Sequence, residues 1–312
     1  MVFLLEIDQI VMTYNLEVKL AIIIPIYNRF TDIYNLLQCL NLQTFQEFKV
    51  VIVDHGTQDF LFEPNTYIFT ISLIKASPGL WFTGATNTGI QYVLNHEKEV
   101  NFIMIMNDDI QVKDEKFLQT FVKASRDKAI ISCMAINSAN QKIIYAGLKL
   151  KKLQCFYHTN YKGWKPEEIH EDKIQCDVLP TRSTLVPISV IKKIGLLNEE
   201  KLPQYGSDYE WTSRAKKNNI ELIMLTSTYI RTQISSNRVN GKNQYSKNKL
   251  KFFLKDLFDR HKSGNIYDLV HYSFLVFNWH YAFFFIFVGL LRKIFGFAII
   301  NYFKDKHRSS VL

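Results

Sequence analysis

Through its first half the chain alternates continuous apolar runs with stretches of helical periodicity. Residues 19–25 (KLAIIIP) form a β-branched run closed by proline, the pattern of a strand buried on both faces as in a parallel sheet. Residues 31–42 place Ile33, Leu36, Leu37 and Leu40 at helical spacing behind Thr31-Asp32, which can cap the start. Residues 48–53 (FKVVIV), 67–74 and 101–106 (NFIMIM) predict three further strands. Residues 84–94 and 116–124 predict helices, and 129–135 another strand. This β-α-β order predicts an α/β fold, a Rossmann-like, mostly parallel sheet flanked by helices. Residues 142–163 suggest a hairpin excursion, and 175–187 two extended pieces around Thr181-Arg182-Ser183-Thr184. A short helix over 188–195 ends at Gly195. A helix over 208–219 has an acidic start and a basic end, matching its dipole. Strands over 220–225 and 227–232 close the pattern. The polar segment 235–248 reads as a boundary. The organisation is thus an extension over 1–18, a domain over 19–240 and a tail over 241–312.

The tail departs from this pattern. Residues 274–291 are apolar except for Asn278 and His280, and Arg292-Lys293 follow. Fourteen of the 39 residues from Asn265 to Phe303 are aromatic. The 312-residue chain carries a formal net charge of +9, which by itself invites a nucleic-acid reading. Residues 241–312, however, hold twelve Lys/Arg and four Asp, whereas residues 1–240 hold 26 basic and 25 acidic side chains. A nucleic-acid binder would need a basic face on the body, and the body is nearly neutral. A membrane-spanning helix needs about 20 apolar residues, and a buried core helix leaves the cations unexplained. An interfacial pair of helices accommodates aromatics, cations and length together, so the tail is expected to lie on an anionic membrane surface. The expected location is cytoplasmic, peripheral on the inner face of the cell membrane. Residues 1–10 carry Glu6 and Asp8 and lack the basic start of a secretory leader, and a chain beginning at Met12 is expected to fold. Cys39, Cys133, Cys155 and Cys176 have no metal-site or disulfide spacing, which suggests a reducing compartment.

In a doubly wound sheet, ligands bind beyond the carboxyl ends of the strands. Three polar clusters fall there: Tyr27-Asn28-Arg29, Asp54 to Asp59, and Asn107-Asp108-Asp109. Asp108 and Asp109 follow an apolar strand, so they read either as a helix-capping turn or as rigidly held ligands. A hard cation, Mg²⁺ or Mn²⁺, takes one or two carboxylates together with substrate phosphates. Asp208 and Glu210 open a helix and read either as dipole complements or as a general base for an acceptor hydroxyl. Trp81 and Phe82 suit a stacking surface or a loop anchor equally. Trp211 reads as a core residue. Arg182 fits a phosphate ligand or a surface ion pair.

The motif series resembles a family 2 glycosyltransferase, of a rhamnosyltransferase-like branch. Ile24-Pro25-Ile26-Tyr27-Asn28-Arg29 is similar to that family's opening motif, and Val53-Asp54-His55-Gly56-Thr57-Gln58-Asp59 to its second. Leu80 to Gly89 (LWFTGATNTG) resembles its Trp-Thr-Gly-x-Asn-x-Gly, and Asn107-Asp108-Asp109 stands where DxD belongs. Gly206 to Trp211, followed by Arg214, resembles its late acidic motif. The resemblance implies a GT-A fold and transfer of a hexosyl or deoxyhexosyl group, with inversion, in surface polysaccharide synthesis. The implied donor is a nucleotide-diphosphate sugar, UDP- or dTDP-linked, and the acceptor a glycan or lipid-linked molecule. By position, Asp54 would read the nucleotide and Asp109 would hold the metal. Pro25, Tyr27, Asn28, Arg29, Thr86, Asn87, Asn107 and Asp108 would line the donor site, and Asp208 would be the base. Arg182, Glu210, Trp211 and Arg231 would face acceptor or phosphate.

The departures are Asn107 for the first Asp of DxD, Ser207 for an acidic neighbour, and His55 for a small or acidic residue. Leu179 to Thr184 also lacks the glycines of the family's Leu-Pro-Gly-Arg-Gly-Thr loop, and Tyr229-Ile230-Arg231 stands where the family often has a histidine. Three other readings stand beside the enzyme: a catalytically degenerate glycan-binding or scaffold protein, a nucleotidyltransferase, and a nucleic-acid binder. A nucleotidyltransferase would want a Gly-rich phosphate loop after the first strand, where Tyr27-Asn28-Arg29 stands.

Overall fold

The computed structural model describes residues 19–58, 60, 66–159, 161–232 and 249–309, with 249, 252 and 298–309 as backbone only. The extension 1–18 and the boundary segment 235–248 lie outside the described residues. In order, the elements are β1 (Leu20–Ile26), α1 (Phe30–Asn41), β2 (Phe48–Asp54), β3 (Thr70–Lys75), α2 (Trp81–His96), β4 (Phe102–Met106) and β5 (Ile110–Gln111). Then follow α3 (Phe117–Ala124), β6 (Ala129–Asn137), β7 (Ile143–Tyr145), β8 (Lys149–Lys151), β9 (Phe156–His158), β10 (Lys173–Gln175) and β11 (Ser183–Pro187). The chain continues through α4 (Ile188–Ile194), α5 (Ser207–Lys217), β12 (Glu221–Thr232), α6 (Lys249–Phe258), α7 (Ile266–Val276) and α8 (Trp279–Ser309).

The main sheet runs β10-β12-β6-β11-β4-β1-β2-β3. Strands β4, β1, β2 and β3 are mutually parallel, β11 is antiparallel to both its neighbours, and β6 and β12 are again parallel. All seven residues of β1 are buried because alternate side chains enter two cores. Leu20, Ile22 and Ile24 join a cluster with Leu36 and Leu37 of α1 and Phe117 and Phe121 of α3. Ala21 and Ile23 join Ile90 of α2, Ile191 of α4 and Trp211 of α5 on the opposite face. A run buried on both sides is apolar throughout, which is why these strands stand out in the sequence.

Three details differ from the sequence expectation. Helix α2 begins at Trp81, three residues early, because its first turn is pinned: the Phe82 amide donates to Gln204 Oε1 at 3.2 Å and the Thr83 amide to the Pro203 carbonyl at 3.0 Å. Glu221–Thr232 forms one strand rather than two, with a register shift between Leu225 and Tyr229 marking the polar Thr226-Ser227-Thr228 step. Helix α1 has no side-chain cap; Arg29 occupies the cap position, its carbonyl accepting from the Ile33 amide at 3.1 Å.

The tail packs on the body. Tyr272 and Val276 of α7 and Phe285 of α8 form a third cluster with Leu202 and Cys155. The opposite side of α8 exposes Trp279, Phe283 and Phe287, each about 60% accessible. Trp279–Phe297 is the one stretch among the described residues long and apolar enough to cross a membrane.

Candidate active site

The carboxyl ends of β1, β2 and β4 converge on a cavity of about 480 Å³, whose lining includes Tyr27, Arg29, His55, Trp81, Asp109 and His261. Pro25, Asn107 and Asp108 also line it. Of the fifteen site residues named from the sequence, six therefore meet here.

Arg29 lies between the two carboxylates, with Nη1 3.3 Å from Asp109 Oδ2 and 3.6 Å from Asp108 Oδ1. Burial raises the Asp108 carboxyl to about 7; Arg29 opposes the shift and Asp109 adds to it. Asp109 Oδ1 and Asn107 Oδ1 are buried without a hydrogen-bond partner. Buried acceptors left unpaired are costly, and these two oxygens suit a hard divalent cation. Asn107 thus offers an oxygen where the family pattern has a carboxylate. No cluster of three or more His, Cys, Asp or Glu side chains occurs among the described residues, so further metal ligands would be diphosphate oxygens and water.

Behind the cavity, Asn28 and Gly56 build the turns. Asn28 adopts φ +53°, and its Oδ1 accepts from the Thr57 amide at 2.9 Å and the Gln58 amide at 3.1 Å. A Cβ on Gly56 would stand 2.4 Å from Asn28 Oδ1, which explains glycine there. Asp54 is buried, with Oδ1 accepting from the Gly56 amide at 2.9 Å and Oδ2 paired with Lys75 Nζ at 2.9 Å. Neither Asn28 nor Asp54 lines the cavity; His55 does. Its ring lies 5.2 Å from that of Tyr27, and burial lowers its pKa while Asp54 partly opposes the shift.

Thr86 and Asn87 also stand behind the wall. Thr86 Oγ1 donates to the Phe82 carbonyl at 2.8 Å. Asn87 accepts from the Leu197 amide at 3.0 Å and donates to the Leu197 carbonyl at 2.9 Å and Glu199 at 3.0 Å, fixing the loop after α4. Glu210 pairs with Arg214 at 2.8 Å, and Arg214 clamps carbonyls of Ile194 and Leu196. Trp211 is fully buried and its Nε1 donates to the Gly195 carbonyl at 2.7 Å. Arg231 bonds Gln141 and lies 5.5 Å over the Tyr229 ring. None of these side chains lines the cavity at the strand ends, and each is held by contacts within the protein.

Asp208 and Arg182 are different. The Asn107 amide donates to the Arg182 carbonyl at 3.1 Å, tying the acidic turn to the segment before β11. Arg182 is exposed, and its charge acts on Asp208. Burial raises the Asp208 carboxyl to about 6, with the Tyr209 amide and Arg182 limiting the rise. A carboxylate held near neutrality is suited to accept a proton at physiological pH. Gly206, at φ +83°, turns the chain into α5, and Thr83 Oγ1 bonds Ser207 Oγ at 2.8 Å, which fixes the start of that helix against α2.

Sequence reasoning missed His261 and Lys75. The His261 ring lies 4.5 Å from that of Trp81, tilted by 35°, its carbonyl accepts from Tyr205 Oη at 3.3 Å, and Arg260 donates to the Lys201 carbonyl at 3.1 Å. Trp81 itself has φ +56°, a conformation uncommon for an aromatic residue and often found beside functional sites. The tail therefore supplies one wall of the cavity. Only the ring in an otherwise polar stretch (Asp259 to Gly264) distinguished His261 in the sequence.

The family model "Glycosyl transferase family 2" matches residues 21–195. An uncharacterized glycosyltransferase of Haemophilus influenzae is 24% identical over 177 residues, 56% of this chain and 53% of its own. Another, of Rickettsia felis, is 24% identical over 241 residues, 74% of this chain and 36% of its own. The chain spans about half or less of the length of these relatives. Among solved structures, S. aureus TarS 1-349 superposes with a TM-score of 0.53 at 14% identity, covering 94% of this chain and 92% of that one. GalNAc-T7 with UDP, GalNAc and Mn²⁺ gives 0.58 at 10% identity, covering 83% and 47%. TarS 1-349 in complex with UDP-GlcNAc gives 0.51 at 14% identity, covering 82% and 71%.

Proposed function

This chain belongs to glycosyl transferase family 2, with the GT-A fold, and we propose that it moves a sugar with inversion from a UDP- or dTDP-linked donor to a glycan or lipid-linked acceptor. The presence of UDP and UDP-GlcNAc in similar structures supports a nucleotide-sugar donor. Asp109 Oδ1 and Asn107 Oδ1 would hold Mg²⁺ or Mn²⁺, as the Mn²⁺ in the GalNAc-T7 structure suggests, and the ion would neutralise the leaving diphosphate. Arg29 adds a second positive charge on the same side. Tyr27, His55, Trp81 and His261 offer ring faces for the nucleotide and sugar.

Asp208 takes the proton from the acceptor hydroxyl as its oxygen bonds to the anomeric carbon, and the bond from that carbon to the diphosphate breaks. Charge develops as in an oxocarbenium-like transition state, by analogy with glycoside hydrolysis. Arg182 stands beside the base, where it can orient an acceptor phosphate or hydroxyl. The observation that carries this reading is the pairing of two environments. A cation-ready acidic turn and a carboxylate poised near pH 6 are tied together through the Asn107–Arg182 hydrogen bond.

The exposed aromatics of α8 and the charge of residues 241–312 support work at an anionic membrane surface, on the inner face of the cell membrane. A role in surface polysaccharide synthesis fits that placement. The test is nucleotide release from a panel of UDP- and dTDP-sugars with and without Mn²⁺. Release from one donor, dependent on metal and on Asp208, supports the proposal. No metal-dependent release from any donor would favour a glycan-binding or scaffold role.

A further inference from the structure

A second cleft, of about 430 Å³, lies between the β8–β9 hairpin and the tail helices. Its volume is within the usual range for small-molecule sites, about 300–1,000 Å³. Leu148, Leu269 and Phe285 give it apolar walls, Tyr209 stands at one side, and Arg292 and Lys293 at another. Tyr209 is the residue after the proposed base, and its amide donates to Asp208 Oδ1 at 2.9 Å. The cleft therefore lies beside the start of α5, which carries the proposed base, and shares no lining residue with the cavity at the strand ends.

Its two cations are not paired with a carboxylate among the described residues. The Arg292 guanidinium donates to the carbonyls of Gln154 and Cys155 and lies 4.9 Å over the Phe156 ring. Lys293 Nζ reaches the Gly264 carbonyl, an approach that a Cβ at Gly264 would block at 2.8 Å. Burial lowers the pKa of Lys293, as expected for a cation held away from water without a counter-charge. A half-buried cation such as Lys293 normally has an anionic partner, and the exposed Arg292 stands next to it. An anionic group next to apolar carbon would match both the cations and the apolar walls of this lining.

The surroundings indicate where such a ligand resides. The turn bordering the cleft carries Leu153, 89% exposed, beside Lys151 and Lys152. Along α8, Ala282 and Phe285 face the body while Phe283 and Phe287 face outward. The cleft is thus flanked by two exposed apolar and basic features of the kind that settle at a lipid headgroup layer.

We propose that this cleft binds a single-chain lipid phosphate, the anchor of the acceptor, with its phosphate at Arg292 and Lys293 and its first methylenes against Leu148, Leu269 and Phe285. This rests on the lipid-linked acceptor of the reading above. It places the anchor beside Tyr209, so that the sugar-bearing end extends towards Asp208.

The test is calorimetric titration of the full chain with dodecyl phosphate below its critical micelle concentration. Saturable binding near one per chain is expected, weakened up to about 250-fold with octyl phosphate, since four methylenes are lost and each, when buried, is worth about a fourfold change in affinity. Lys293→Gln keeps a donor for the Gly264 carbonyl and is expected to weaken binding about tenfold, with circular dichroism and melting unchanged. Arg292→Gln provides a second, independent loss. Equal binding of dodecyl phosphate and dodecyl maltoside would show an apolar surface without phosphate recognition and overturn the proposal. So would inorganic phosphate competing as well as the amphiphile, binding unaffected by both substitutions, or no binding by a chain that proves dimeric with the cleft closed by its copy. Titration needs no sugar donor, so nucleotide release by the same preparation tells failure of this site from failure of the glycosyl-transfer reading.

Discussion

Replacing Asp208 with Asn should lower activity and raise stability together. At a pKa of about 6 the wild-type carboxylate is about 90% ionised at pH 7 and about 10% at pH 5, so transfer should rise with pH and level off above about pH 7. Removing a general base costs about 10²–10⁴-fold in rate. The same burial that raises the pKa destabilises the fold. Raising a carboxyl from 3.8 to about 6 corresponds to about 3 kcal/mol, at about 1.36 kcal/mol per unit. The sign follows from which state holds the proton. Between pH 3.8 and about 6 the unfolded chain has released it and the native protein retains it, so native stability falls with rising pH across that window. Above it the loss is constant; below it there is none. Asp208→Asn removes the titration, so the variant should match wild type near pH 4 and exceed it by up to about 3 kcal/mol at pH 7, a rise of about 2–4 °C in Tm per kcal/mol. Metal-dependent nucleotide release across pH 5–8 and denaturant melts at pH 4 and 7 measure both. Unchanged release, or a stability difference that does not depend on pH, would refute the assignment of Asp208.

Asp109→Asn should cut metal-stimulated nucleotide release about 100-fold and raise the Mn²⁺ concentration needed, because it replaces the carboxylate bearing the unpaired Oδ1; a metal titration of initial rates reads this. His261→Ala should raise KM for the donor about 2–10-fold with kcat nearly unchanged, since an aromatic pair is worth about 0.5–1.5 kcal/mol; steady-state kinetics separates the two. Gly89→Ala should destabilise by about 1–3 kcal/mol in urea melts, because a Cβ there would meet Ile23 Cγ2 at 2.4 Å and Val53 Cγ2 at 3.2 Å. Phe283→Gln with Phe287→Gln should weaken sedimentation with anionic vesicles at least about tenfold while leaving the melting temperature in place, since both rings lie outside the packed face of α8.

The parallel half of the sheet was legible because its strands are buried on both faces, and such strands leave unbroken apolar runs whose ends are easy to find. Those ends carried Tyr27, Arg29, Asn107, Asp108 and Asp109 to the cavity. Reading a motif does not separate side chains that meet a ligand from those that shape the loop. Asn28 and Gly56 fix the turns, Asn87 holds the loop at 197–199, and Glu210, Arg214 and Trp211 join α5 to the end of α4. Both kinds of role select the same few polar residue types, and only the fold tells them apart. The Asp54–Lys75 pair joins two strand ends across 21 residues, and its lysine has no local mark.

His261 carries the same lesson further, because it changes what the tail is. The charge distribution alone divides the chain into a neutral catalytic body and a basic attachment. In the structure the attachment completes the body: His261 packs against Trp81 in the cavity at the strand ends, Arg260 and Tyr205 tie that turn to the loop before Asp208, and Tyr272 and Phe285 bury against Leu202 in the same loop. Deleting residues 265–312 would expose that cluster, so loss of activity on truncation would not isolate the membrane contribution. Substitutions on the outward face of α8 would. The outward rings and the inward packing belong to one helix, so on the proposed membrane surface the element that meets the lipid also holds the loop leading into the base.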